Sequence, residues 1–157
     1  YNISHLLKPE IGATMGLEID EVDQTLGDLQ LDFVRGHLRL IRADRRIFIK
    51  GTLHTAVDAE CVRCLKPFRL ALNLQLEEMF ALSSSVDPVY FVNDDGWLNL
   101  QQPLHEQVLL AMPIQLLHRP DCKGLCPECG QNWNDGPCEH QGQEIDPRLA
   151  ALKSLLH

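Results

Sequence analysis

Phe68-Arg69-Leu70-Ala71-Leu72-Asn73-Leu74-Gln75-Leu76-Glu77 places a leucine or phenylalanine at every second position. Side chains alternate across a pleated strand, so this period of two gathers the apolar groups on one face and leaves Arg69, Asn73, Gln75 and Glu77 on the other. A sheet with one buried face is therefore expected. Upstream, Ile47, Ile49, Leu53 and Val57 take alternate positions opposite Phe48, Lys50, Thr52 and His54. Before them Leu31, Phe33, Leu38, Leu40 and Ile41 interleave with His37, Arg39 and Arg42, and Ala43-Asp44-Arg45-Arg46 reads as the turn between two strands. Cys61-Val62-Arg63-Cys64 then falls in the connection between two strands able to pair antiparallel, where a metal can clip a sheet end.

Residues 1 to about 30 are polar, with Gly12, Gly16 and Gly27 and scattered acids, and are expected to form a less regular N-terminal wrap. Beyond Pro88, the runs Val89 to Val92 and Trp97 to Leu100 flank Asn93-Asp94-Asp95-Gly96, which is hairpin punctuation. From Pro103 the period becomes helical through Leu104, Val108, Ala111 and Met112, and Pro113 ends it. Asp146-Pro147-Arg148 opens a short amphipathic helix carrying Leu149, Leu152 and Leu156. The expected fold is a single α+β domain over residues 1–157. Its antiparallel sheet can roll into a half-barrel, with one or two helices against it and a cysteine-rich zinc loop at 118–142.

Cys126-Pro127-Glu128-Cys129-Gly130 joins two soft ligands in a tight turn that Pro127 presets and Gly130 completes. Nine residues after Cys129 come Cys138 and His140, which fill a tetrahedron. Cys61 and Cys64, with His118 and Cys122, fill a second, so the 6 cysteines leave no thiol over. Two other partitions stand beside this one: a single site at Cys122, Cys126, Cys129 and Cys138, or the two C-x2-C knuckles facing each other as in a zinc ribbon. Either way one or two structural zinc ions are expected. No stretch approaches the ~20 apolar residues of a membrane span, and no basic segment precedes an apolar run at the N-terminus. A soluble cytosolic protein is expected, in which thiols stay reduced and metal is favoured over disulfides.

The formal charge of −8 is unevenly spread. Nine Lys/Arg (Arg35, Arg39, Arg42, Arg45, Arg46, Lys50, Arg63, Lys66, Arg69) against Asp44, Asp58 and Glu60 give residues 35–69 a charge of +6, leaving −14 elsewhere. Six acids and no base lie between Glu18 and Asp32. Such segregation suits a protein that faces a phosphate backbone with one side and a basic protein with another. A solvated hairpin paired to the acidic segments is the plainer alternative. For RNA contact the candidates are Arg39, Arg42, Arg45, Arg46 and Lys50.

Catalysis finds little support. Thiolate-rich sites with four ligands are closed, whereas catalytic zinc keeps an open position. The H-x-E that a zinc deaminase sets before its P-C-x2-C is missing, strands rather than a βαβ unit flank Cys61 and Cys64, and no G-x-S-x-G, phosphate-cradling glycine loop or H-E-x-x-H occurs.

CVRCLKPF at 61–68, LLAMPIQLLHRPDCKGLCPECGQNWNDGPCEH at 109–140 and IDPRLAALKSLL at 145–156 resemble the bacterial and plastid YceD-like large ribosomal RNA subunit accumulation protein family. The resemblance runs from about Leu31 onward and is most specific at Cys61, Arg63, Cys64, Cys122 to Gly130 and Ile145 to Leu152. It implies a non-enzymatic factor for accumulation of large-subunit rRNA, in the cytoplasm or the plastid stroma. Its partner would be the pre-ribosomal large subunit, through rRNA, a basic ribosomal protein or both, with no membrane and no small-molecule substrate. Family members vary in the C-terminal cysteine loop, which implies that the knuckle at Cys126 and Cys129 stabilises rather than functions. The competing reading is a zinc-stabilised adaptor or chaperone for a ribosomal protein without RNA contact; a zinc-dependent redox sensor is disfavoured by the closed sites.

Overall fold

The computed structural model describes residues 1–8, 10–83, 87 and 89–140, so the helix expected from Asp146 lies outside them. The elements run α1 (Ser4–Leu7), β1 (Thr14–Leu26), β2 (Leu29–Arg42), β3 (Arg46–Glu60), β4 (Pro67–Ala81) and α2 (Gln101–Ala111). The four strands form one antiparallel meander in the order β1-β2-β3-β4. It is open: among the described residues no strand joins β1 to β4.

The alternation of β4 predicts its burial, with Leu72, Leu74, Leu76 and Phe80 inside and Asn73, Gln75 and Glu77 outside. Register carries the apolar row across the sheet, since Leu76 opposes Gly51, which opposes Leu38, which opposes Leu17. Ile3 and Leu6 near the N-terminus, Val92 and Leu98 of a small hairpin, and Leu104 and Val108 of α2 cover this inner face. Val92 bridges Leu98 across the 93–96 turn, as the sequence punctuation indicates. The helix begins at Gln101, before Pro103, because proline's missing N–H costs nothing within the first turn.

Two glycines set the curvature. A Cβ on Gly51 would lie 2.1 Å from the His37 carbonyl oxygen, and one on Gly36, at φ +150°, would lie 2.3 Å from that of Thr52. Strands β2 and β3 are thus pressed together at mid-length where only glycine fits. Farther along, a bulge between Leu31 and Val34 shifts the register, and the buried Thr55 hydroxyl donates to the Phe33 carbonyl it exposes, at 2.5 Å.

Two expectations are corrected. The N-terminal wrap over residues 1–30 is, from Thr14 to Leu26, a 13-residue edge strand. Met15, Leu17 and Ile19 do alternate, but an edge strand beside a solvated face also carries acids and Gly16, which hides the period. Arg42 has the parity of Leu38 and Leu40, not of Arg39, and so belongs to the inner face, where its Nε and Nη1 are buried without a partner among the described residues.

Candidate metal centres and the basic hairpin

The β3–β4 connection is a knuckle rather than a tight hairpin. The Leu65 N–H donates to the Cys61 carbonyl at 2.8 Å, as the Gly130 N–H donates to that of Cys126 at 2.9 Å. Both closing residues have positive φ, 56° at Leu65 and 73° at Gly130, so the two C-x2-C turns are conformational copies. Leucine there carries a strain that glycine avoids.

Two groups of side chains converge: Cys61, Cys64, His118 and Cys122 in one, Cys126, Cys129, Cys138 and His140 in the other, each with its ligand atoms within 4.8 Å of one another. This is the two-site partition, and either group could hold a metal ion. Cys61 Sγ and Cys122 Sγ are 3.7 Å apart, and Cys64 Sγ lies 3.4 Å from His118 Nδ1. Tetrahedral bonds of about 2.3 Å to sulfur place ligand sulfurs ~3.8 Å apart, whereas a disulfide would bring them to about 2.05 Å. All six cysteines are free.

The two groups differ in setting. Cys61, Cys64 and Cys122 are buried and form a second apolar cluster with Phe68, Leu117 and Leu125 against them. In the other group Cys126 is buried, Cys138 half-buried, and Cys129 and His140 exposed. Burial opposes ionisation of Cys61, but hydrogen bonds from His118 and from backbone N–H groups around the knuckle bring its thiol down to about 5. Cys64 moves up, chiefly through burial and its neighbouring sulfurs. The Trp133 indole N–H, 3.2 Å from Cys138 Sγ, is the main cause that lowers Cys138 to about 7. The Asn134 amide donates to Cys122 Sγ at 3.4 Å and its oxygen accepts from Arg119 and from the Lys123 N–H, while Arg63 donates to the Cys122 carbonyl at 2.8 Å.

At the other end of β3, Arg39 and Lys50 face each other in register on the outer face. Lys50 is held by Glu77 at 2.6 Å, and Arg46 is loosely paired with Asp87 at 3.9 Å. Arg39 is opposed on its other side by Gly16, which offers no acid. Arg39 and Arg45 are exposed and have no ion pair among the described residues, whereas Arg35 and Arg69 are tied to Asp20 and Asp32. Four of the five candidate cations thus surround the hairpin end, and Arg42 does not join them.

A family model described as large ribosomal RNA subunit accumulation protein YceD matches residues 49–156, which takes in most of β3, all of β4 and α2, and both cysteine groups. The chain belongs to the YceD family. Its relatives include an uncharacterized protein of Mycobacterium tuberculosis, 34% identical over 92% of this chain and 69% of that protein, and one of Mycobacterium leprae, 31% identical over 76% and 57%. The uncharacterized protein YlbN of Bacillus subtilis is 24% identical over 99% of this chain and 94% of its own length. No solved structure matches the chain significantly. Among the described residues of this YceD-family chain, no helix is long and apolar enough to cross a membrane.

Sequence reasoning missed the residues that steady the sulfurs. Trp133 and Asn134 sit in the stretch Asn132-Trp133-Asn134-Asp135 between the two halves of the second site. Side-chain amides and an indole crowded between cysteines are N–H donors beside thiolates, and that was the available signal.

Proposed function

We propose that this YceD-family chain is a non-enzymatic assembly factor for the large ribosomal subunit that holds rRNA at its basic hairpin end, in the cytoplasm or the plastid stroma. The observation that carries the reading is the pair Arg39 and Arg45. They are exposed cations that make no ion pair among the described residues, on a sheet whose other outer-face cations, Arg35, Arg46, Lys50 and Arg69, each face an acid. A guanidinium left free on an acidic protein serves phosphate contact, and Arg46 at the hairpin turn, only loosely paired with Asp87, extends it. Of the outer-face rings, Phe33 is covered by the Arg35 and Arg69 guanidiniums and Phe48 lies between Ile41 and Met79 in register, so recognition is mainly of backbone and shape.

In this reading both cysteine groups bind zinc in closed, structural sites. The thiolate-rich donor set and the 3.7 Å sulfur separation support that metal.

The test is co-purification under mild salt of wild type and an Arg39→Glu/Arg45→Glu chain, with large-subunit rRNA quantified. Each lost phosphate contact should remove roughly 0.7 to 0.9 from the log–log salt slope. An unchanged rRNA yield and slope would reject the RNA contact and leave the adaptor reading in its place.

A further inference from the structure

The unpaired edge of β1 combines three features. From Thr14 to Val22 the strand pairs with β2 through nine consecutive residues without a bulge, and among the described residues nothing pairs with its other side. A row of free N–H and C=O groups of that length is a template for another strand unless it is blunted. On the inner side of this edge, at its Ile19–Leu26 end, lies an open groove of about 600 Å³ lined by the apolar Ile19, Leu26 and Leu98 and the polar Glu21, Gln24 and Asn99, with Trp97 on its rim 54% exposed. The strand itself carries Glu18, Asp20, Glu21 and Asp23 and no base. Asp20 is taken up by Arg35 and Glu21 accepts from the Tyr1 hydroxyl, whereas Glu18 and Asp23 have no ionic partner among the described residues.

We infer that β1 is a docking edge for an extended basic segment of a partner protein, added as a fifth strand. Alternation fixes the chemistry of that segment. Side chains of a strand beside β1 fall by turns on the outer face, next to Glu18 and Asp20, and on the inner face, over the groove. The occupant therefore alternates Lys or Arg with medium-sized apolar residues. Acids alone also protect an edge from aggregation; the partly apolar groove and the exposed indole are what a guarded edge does not need. The inference rests on the assembly reading only for the source of the segment, a basic ribosomal-protein extension, and the site lies apart from Arg39 and Arg45.

Its test uses the whole chain and two synthetic nonapeptides of equal composition, one alternating Lys and Val with Lys at both ends and one with five Lys followed by four Val. Binding is followed by tryptophan fluorescence and by amide hydrogen exchange. The alternating peptide should bind about tenfold tighter than the block peptide and slow exchange within Thr14–Val22, as cross-strand pairing requires. Glu18→Lys with Asp23→Asn, the asparagine chosen because it tolerates the φ of 50° at that position, should weaken binding about tenfold. Trp97→Ala should remove the fluorescence change and weaken the alternating peptide alone. Arg39→Glu/Arg45→Glu should leave peptide binding unchanged, so that loss of the RNA contact and loss of this site are read separately. Equal affinity for the two peptides, or protection that falls outside β1, would overturn the inference.

Discussion

Replacing Cys64 and Cys129 separately by serine tests whether the two metal groups have the unequal roles that their burial assigns. A metal at the first group ties the β3–β4 knuckle to His118, a sequence separation of 54 residues. Treated as a cross-link that closes a loop of that length, it removes about 4 kcal/mol of chain entropy from the unfolded state. Cys129 is nine residues from Cys138, so the second group closes a short loop worth only about 2.5 kcal/mol, all of it local. Cys64→Ser should therefore lower the melting temperature of the sheet by roughly 10 °C in a chain of this size, and Cys129→Ser should leave it within about 2 °C. Elemental analysis should find about two zinc per wild-type chain and about one in each variant. Circular dichroism melts and metal content are read on the same samples. Equal melting shifts in the two variants would refute the division of roles, and a wild-type chain without metal would refute both sites.

Gly51→Ala should destabilise the sheet by about 3 kcal/mol, since its methyl group must displace the His37 carbonyl and the Leu38 backbone; urea titration checks this, and a change below about 0.5 kcal/mol would contradict the close approach of β2 and β3. Asp28 is held below the usual carboxylate range chiefly by its hydrogen bond with His105, and Glu106 by the Tyr90 hydroxyl. Depressed carboxylates stabilise above their unfolded pKa of about 4 and lose that contribution as pH falls through the lower folded value, so Tyr90→Phe should lower the melting temperature at pH 7 and converge with wild type once the pH falls below that folded value. Gly130→Ala, at φ +73° with open space around it, should cost about 1 kcal/mol of loop stability and loosen the second metal group without shifting the main melt.

The sheet was legible where the apolar residues keep a period of two, both in the central strand β3 and in the edge strand β4. It was not legible in β1, where Gly16 and the acids Glu18, Asp20, Glu21 and Asp23 break the pattern. The two cysteine–histidine clusters could be read because ligand chemistry is local: C-x2-C turns bring two sulfurs together whatever the rest of the fold does. What spacing left open was the partition, which depends on the loop hydrogen bonds, Val62 to Leu116 and Leu125 to Arg63, that bring 116–125 back to 61–64. Arg42 was misplaced by reading composition where parity decides, since one position along a strand exchanges the solvated face for the core.

β3 links the two ends of the molecule in a single 15-residue strand, with the arginine turn before it and the first knuckle after it. At about 3.3 Å per residue it spans at most ~50 Å. The strand is thus a ruler. Anything gripped at the arginine turn is held at a fixed offset from anything that touches the cysteine-rich end, and because β3 pairs with β4 along its whole length and with β2 over most of it, that offset has little give. A cross-linking map of an assembling particle should then show contacts from the two ends in two separate patches a constant distance apart, with few in the space between.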